Sequence, residues 1–116
     1  ILSSGTLNGE LVIFKGSEEA VTAGINGRLR AGRAEHKKTG VIATDETLDR
    51  YEADACYSVG RRGSAKAAAE RLYRILRECD DAGVELICSE CFDGAGVGAA
   101  VMNRMMKAAG YHIIEV

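Results

Sequence analysis

Gly94, Gly96 and Gly98 punctuate the run Glu90-Cys91-Phe92-Asp93-Gly94-Ala95-Gly96-Val97-Gly98, which lies between a β-rich stretch and a helical one. Amides that carry no Cβ, placed at the start of a helix, can come close to an anionic group, so a phosphate is one ligand for this run. It fits a dinucleotide fingerprint loosely as Gly94-x-Gly96-x-x-Ala99, with Glu115 following at the end of the next β-rich run. This is the last strand-helix-strand unit of the sequence, so a nicotinamide half is not expected, and a small-residue turn also serves plain strand-on-helix packing. Arg61 and Arg62 precede a helix start at Ser64, where guanidinium groups and amide dipoles together can hold a phosphate or carboxylate, although such a pair also occurs in solvated turns. With Asn103 on the following helix, the candidate nucleotide or anion site is Arg61, Arg62, Ser64, Gly94, Gly96, Gly98 and Asn103. Asp45, Glu46, Glu90 and Asp93 could ligate Mg²⁺ beside a phosphate, which makes ATP or GTP with Mg²⁺ the candidate cofactor. Surface acids at strand ends are common, and no metal site is assigned.

Cys88-Ser89-Glu90-Cys91 has CxxC spacing, which invites a redox or zinc reading. In a continuing strand the two thiols point to opposite faces, and a zinc site needs two more ligands at matching spacing. His36, in the basic loop Arg33 to Lys38, and His112, which opens a strand, stand alone. Structural cysteines are the expectation. The sequence has no Gly-Lys-Ser phosphate loop and no nucleophile elbow, so it offers a binding edge and no catalytic set.

These residues need a scaffold that brings their loops to one rim. Five β-rich runs recur: Leu11 to Phe14, Val41 to Thr44, Ala55 to Val59, Val84 to Cys88 and His112 to Val116. Between the first two, Val21, Ile25 and Leu29 mark a helix face weakened by Gly24 and Gly27. Between the third and fourth, Ala65, Ala68, Leu72, Ile75, Leu76 and Cys79 form an apolar stripe, with Ser64 as cap and Gly83 past its end. Val97, Val101, Met105 and Ala108 define a third helix that Gly110 stops. The connection Asp45 to Asp54 leaves room for a short helix around Glu46 to Tyr51. The alternation predicts an α/β domain: an open, mainly parallel five-stranded sheet with helices on both faces, a Rossmann-like three-layer sandwich whose ligands bind at the carboxyl edge.

Length and composition fit one domain, with residues 1–9 a linker or frayed lead-in and residues 10–116 the folded unit. The chain has 116 residues, 47% hydrophobic and 28% charged, with four cysteines and no proline. No window approaches a membrane span and no secretory signal opens the sequence, so a cytoplasmic location with free thiols is expected. A net charge of −2 with intermixed signs provides no broad basic surface, so direct nucleic-acid binding, to tRNA or any other, is not expected.

A resemblance sharpens this reading. Ala53-Asp54, Gly60-Arg61-Arg62, the stretch Ala69 to Asp80 and above all Gly96-Val97-Gly98-Ala99-Ala100-Val101-Met102-Asn103-Arg104-Met105-Met106-Lys107-Ala108-Ala109-Gly110 resemble the C-terminal domain of the two-domain threonylcarbamoyl-AMP synthase family. The resemblance implies an accessory domain for tRNA threonylcarbamoyladenosine modification. Its partner would be a YrdC-type catalytic domain, in the same chain or separated from it, which uses threonine, bicarbonate and ATP. It also implies suspected nucleotide binding and a part in closing the active site. No YrdC-type counterpart occurs among these residues and Ile1 to Gly9 does not match the family's linker, so no catalytic residue carries over. The alternatives are an independent ATP- or GTP-binding domain and an assembly module.

Overall fold

The structure, a computed structural model, describes residues 10–61, 65–91, 103, 105–107, 110 and 112–116, with no side chain described in residues 65–69. Strands β1 (Glu10–Lys15), β2 (Thr39–Ala43), β3 (Ala55–Ser58), β4 (Leu86–Glu90) and β5 (Ile113–Glu115) alternate with α1 (Glu18–Ala34), a 3-10 turn (Leu48–Arg50) and α2 (Ala65–Ala82). Each expected strand is present. They form one sheet in the order β3-β2-β4-β1-β5, and every neighbouring pair is parallel. The central strands β2 and β4 are buried along their whole length, as a sheet covered on both faces requires, whereas the edge strands β3 and β5 are half-exposed.

The strand order decides which helix covers which face. The connections β1 to β2 and β2 to β3 run one way across the sheet, and β3 to β4 and β4 to β5 run the other, so right-handed crossovers send them to opposite faces. Two separate cores result. On one face Val21, Ile25 and Leu29 of α1 pack with Val12, Phe14, Val41, Leu86, Cys88 and Tyr51. On the other, Leu72, Ile75 and Cys79 of α2 and Met105 pack with Leu11, Ile13, Ile42 and Ile87. Residues 103 and 105–107 are helical, and Met105 is fully buried as the expected third helix face requires. The other residues of that face, Val97, Val101 and Ala108, lie outside the described residues.

Caps fix the helix ends. Ser17 Oγ accepts from Ala20 N–H at 3.2 Å at the start of α1. Past α2, Gly83 takes φ +70° and Val84 N–H reaches back to Cys79 C=O at 3.0 Å. The same closure ends α1: Lys37 N–H bonds Gly32 C=O at 3.0 Å around His36, whose φ of 63° a glycine would adopt more cheaply. His36 thus closes the helix. Ser64, the expected cap of α2, lies outside the described residues.

Candidate functional site

With all strands parallel, the segments that leave β2, β3 and β4 start on one rim. Arg61, which is exposed, follows β3, and Cys91 begins the segment that leads to the glycine run. One strand, β2, separates them, so the two exits lie about 10 Å apart. Asn103 is helical and exposed. Arg62, Ser64, Gly94, Gly96 and Gly98 lie outside the described residues, as does Asp93.

The turn that carries Arg61 is well tied. Asp45 N–H donates to Gly60 C=O at 3.0 Å, Gly60 N–H donates to Ser58 Oγ at 2.9 Å, and the Ser58 hydroxyl donates to Asp45 Oδ1. A second guanidinium stands beside it: a Cβ built on Gly60 would meet Arg71 Nη1 at 3.4 Å. Arg71 was not legible as a site residue, although its position in the first turns of α2 after the Arg61-Arg62 pair was a signal for it.

Beneath the rim, on the α1 face, lies a buried polar cluster. Glu90 is the last residue of β4 and only 6% exposed. Its Oε1 accepts from the Thr47 hydroxyl at 2.9 Å and its Oε2 from the Tyr51 hydroxyl at 2.5 Å, while Thr44 Oγ1 lies 3.1 Å from Thr47 Oγ1. The period of two explains why a carboxylate is inside: Leu86, Cys88 and Glu90 share one face of β4, and the 3-10 turn brings Tyr51 over its end. Burial, and then the Glu90 carboxylate, push the Tyr51 hydroxyl well above the usual phenol range, so it stays a donor. Thr47 and Tyr51 were not legible as site residues; the one signal was a tyrosine ending the expected short helix.

Two of the four acids weighed as Mg²⁺ ligands are thus already engaged, Glu90 by hydroxyls and Asp45 by Ser58. Among the described residues no group of three or more His, Cys, Asp or Glu side chains could hold a metal ion. Cys88 packs in the α1-side core and Cys91 against the α2-side core, on opposite faces as the strand geometry demands. Burial pushes the Cys79 thiol up to about 11 and the Cys88 thiol up to about 12, so neither is a thiolate at neutral pH.

A family model for the C-terminal domain of threonylcarbamoyl-AMP synthase matches residues 7–110. The chain is 40% identical over 105 residues to threonylcarbamoyl-AMP synthase of Bacillus subtilis, a match that covers 90% of this chain and 29% of that protein. It is 35% identical over 107 residues to the Pyrococcus abyssi protein of the same name, covering 92% of this chain and 30% of the relative. Among solved structures, P. abyssi Sua5 complexed with L-threonine aligns with a TM-score of 0.82 at 33% identity, over 96% of this chain and 31% of that one. The C-terminal Sua5 domain from Pyrococcus horikoshii aligns with a TM-score of 0.75 at 31% identity, over 96% of this chain and 100% of that one. The chain therefore spans under a third of the curated relatives it matches. Among the described residues no helix is long and apolar enough to cross a membrane.

Proposed function

The chain belongs to the threonylcarbamoyl-AMP synthase C-terminal domain family, and on that premise we propose that it is the non-catalytic accessory domain of such a synthase in tRNA threonylcarbamoyladenosine modification. It docks on a YrdC-type catalytic domain, helps that domain close, and holds the phosphates of ATP or GTP, with Mg²⁺, at its carboxyl edge. The observation that carries this reading is a family match from residue 7 to residue 110 on a fold that aligns with both a full-length relative and a relative's C-terminal domain. Side-chain engagement supports an accessory role: Glu90 and Asp45 at the rim are held by hydroxyls, and Cys79 and Cys88, away from the rim, are buried thiols. Arg61 with Arg71 beside Gly60 supports an anion at the edge, where Arg62, Ser64, the glycine run Gly94, Gly96 and Gly98, and Asn103 would complete the site.

The test is pyrophosphate release from ATP, threonine and bicarbonate. The chain alone is expected to release none, and a relative's catalytic domain joined to it is expected to turn over faster than that domain alone. Release from the isolated chain overturns the accessory role. For the edge, calorimetry should give saturable ATP binding that Arg61→Ala with Arg62→Ala weakens; binding that the double variant leaves unchanged removes the nucleotide from this rim.

A further inference from the structure

Away from the carboxyl edge, the flank of α1 carries a cleft of about 270 Å³ lined by Asn26, Arg30, Arg33, Asp49, Arg50 and Glu52. Helical spacing puts Asn26, Arg30 and Arg33 on one side of α1, and the 3-10 turn with the residues after it supplies the opposite wall. The walls are tied together, because Asn26 Nδ2 donates to Arg50 C=O at 3.0 Å.

Three guanidinium groups share this concavity with two carboxylates. Arg50 is braced from outside by Glu18 at 2.8 Å, and the charge of Arg33 acts on Asp54. Among the described residues Arg30 has no ion pair within 4 Å, and neither Asp49 nor Glu52 closes on it although both line the same cleft. The lining holds one more arginine than acidic residue, and guanidinium forks match phosphoryl oxygens in geometry. The acids and the free Asn26 Oδ1 add acceptors for hydroxyl donors. The volume lies just below the range of drug-sized pockets, which suits a monosaccharide phosphate.

We propose that this cleft binds a sugar phosphate, with the phosphoryl group on Arg30, Arg33 and Arg50 and the sugar hydroxyls on Asn26, Asp49 and Glu52. The site is separate from the nucleotide edge and does not depend on it. The experiment is amide NMR of this chain titrated with ribose 5-phosphate, AMP and inorganic phosphate. Ribose 5-phosphate should shift the amides of residues 26–33 and 49–52, bind about tenfold more tightly than inorganic phosphate, and lose that advantage in Asp49→Asn. Arg30→Gln, an exposed substitution, should abolish the shifts. AMP distinguishes the sources of the group: tighter binding than ribose 5-phosphate assigns a nucleotide's sugar phosphate, and weaker binding a free sugar phosphate. Equal binding of ribose 5-phosphate and inorganic phosphate overturns the proposal, as do shifts that survive Arg30→Gln. Shifts that vanish in Arg61→Ala but not in Arg30→Gln put the ligand at the carboxyl edge, overturning this site and leaving the accessory function intact.

Discussion

At the amino end of the sheet, charge sits in water. Glu10 takes Arg28 at 3.3 Å and His112 at 3.6 Å with all three side chains well exposed, Lys38 N–H donates to Glu85, and Asp54 accepts from both the N–H and the hydroxyl of Thr39. At the carboxyl end a carboxylate goes under cover instead, and among the described residues Glu90 is held by two hydroxyls with no cation in an ion pair. Exposed pairs contribute at most about 1 kcal/mol, because water and salt screen them and long side chains must be ordered. A buried carboxylate has no such screen, so its hydrogen bonds weigh more. The amino end can vary its charges at little cost, while the carboxyl end is held in one arrangement by the hydroxyls around Glu90.

The sharpest way to break this contrast is to remove one donor from the buried carboxylate. Tyr51→Phe keeps the ring in its core and deletes the hydroxyl, at an expected cost of about 1.5–3 kcal/mol. Glu10→Gln at the other end should cost well under 1 kcal/mol. Urea unfolding of the two variants measures both. Equal losses would mean that burial of Glu90 carries no energetic weight.

The acid limb of stability tests the amino end next. The backbone N–H of Thr39, helped by its hydroxyl and the charges of Arg33 and Lys38, holds the Asp54 carboxyl below the usual carboxylate range. A depressed folded value means that the carboxylate stabilises the fold above the unfolded value of about 4 and that this contribution is lost as pH falls through the lower folded value. Asp54→Asn should therefore lie below the parent in melting temperature at neutral pH and draw level with it in acid. Melting curves that stay parallel at all pH values would leave the Asp54–Thr39 bonds without a net role.

Local chemistry made much of this legible, and distance hid the rest. The β-rich runs, the glycine that closes α2 and the opposed faces of Cys88 and Cys91 follow from neighbours in sequence, and the structure places them as expected. Strand order was not readable, because β1 pairs with β4 and β5, whose identity as partners depends on which crossovers skip a strand. The Glu90 cluster was hidden for the same reason, since Tyr51 and Glu90 meet across 39 residues of chain. His36 reads as part of a basic loop, yet its backbone closes α1, a role composition usually gives to glycine or asparagine. The candidate nucleotide residues come from two strand-to-helix connections and the helix after the second, and of them Arg61 and Asn103 have a described place.

The smallest effect asks whether the two ends also differ in how closely α1 approaches the sheet. A Cβ on Gly24 would lie 3.1 Å from Phe14 Cδ2 and 3.2 Å from Val116 Cγ1, near the carboxyl end, and one on Gly32 would lie 2.6 Å from Leu86 Cδ2, near the amino end. Both ends of the helix are close, so the contrast between them lies in hydrogen bonding and not in backbone spacing. Gly27, between these contacts, would meet nothing within 4 Å. Gly27→Ala should therefore gain the full helix propensity of alanine, about 0.5–1 kcal/mol. Gly24→Ala should gain less than that or lose stability, because Phe14 and Val116 must yield a few tenths of an ångström. Chemical unfolding of the two variants separates these effects, and an equal gain at both positions would show that the helix has slack over Phe14 and Val116 and that Gly24 serves no close approach.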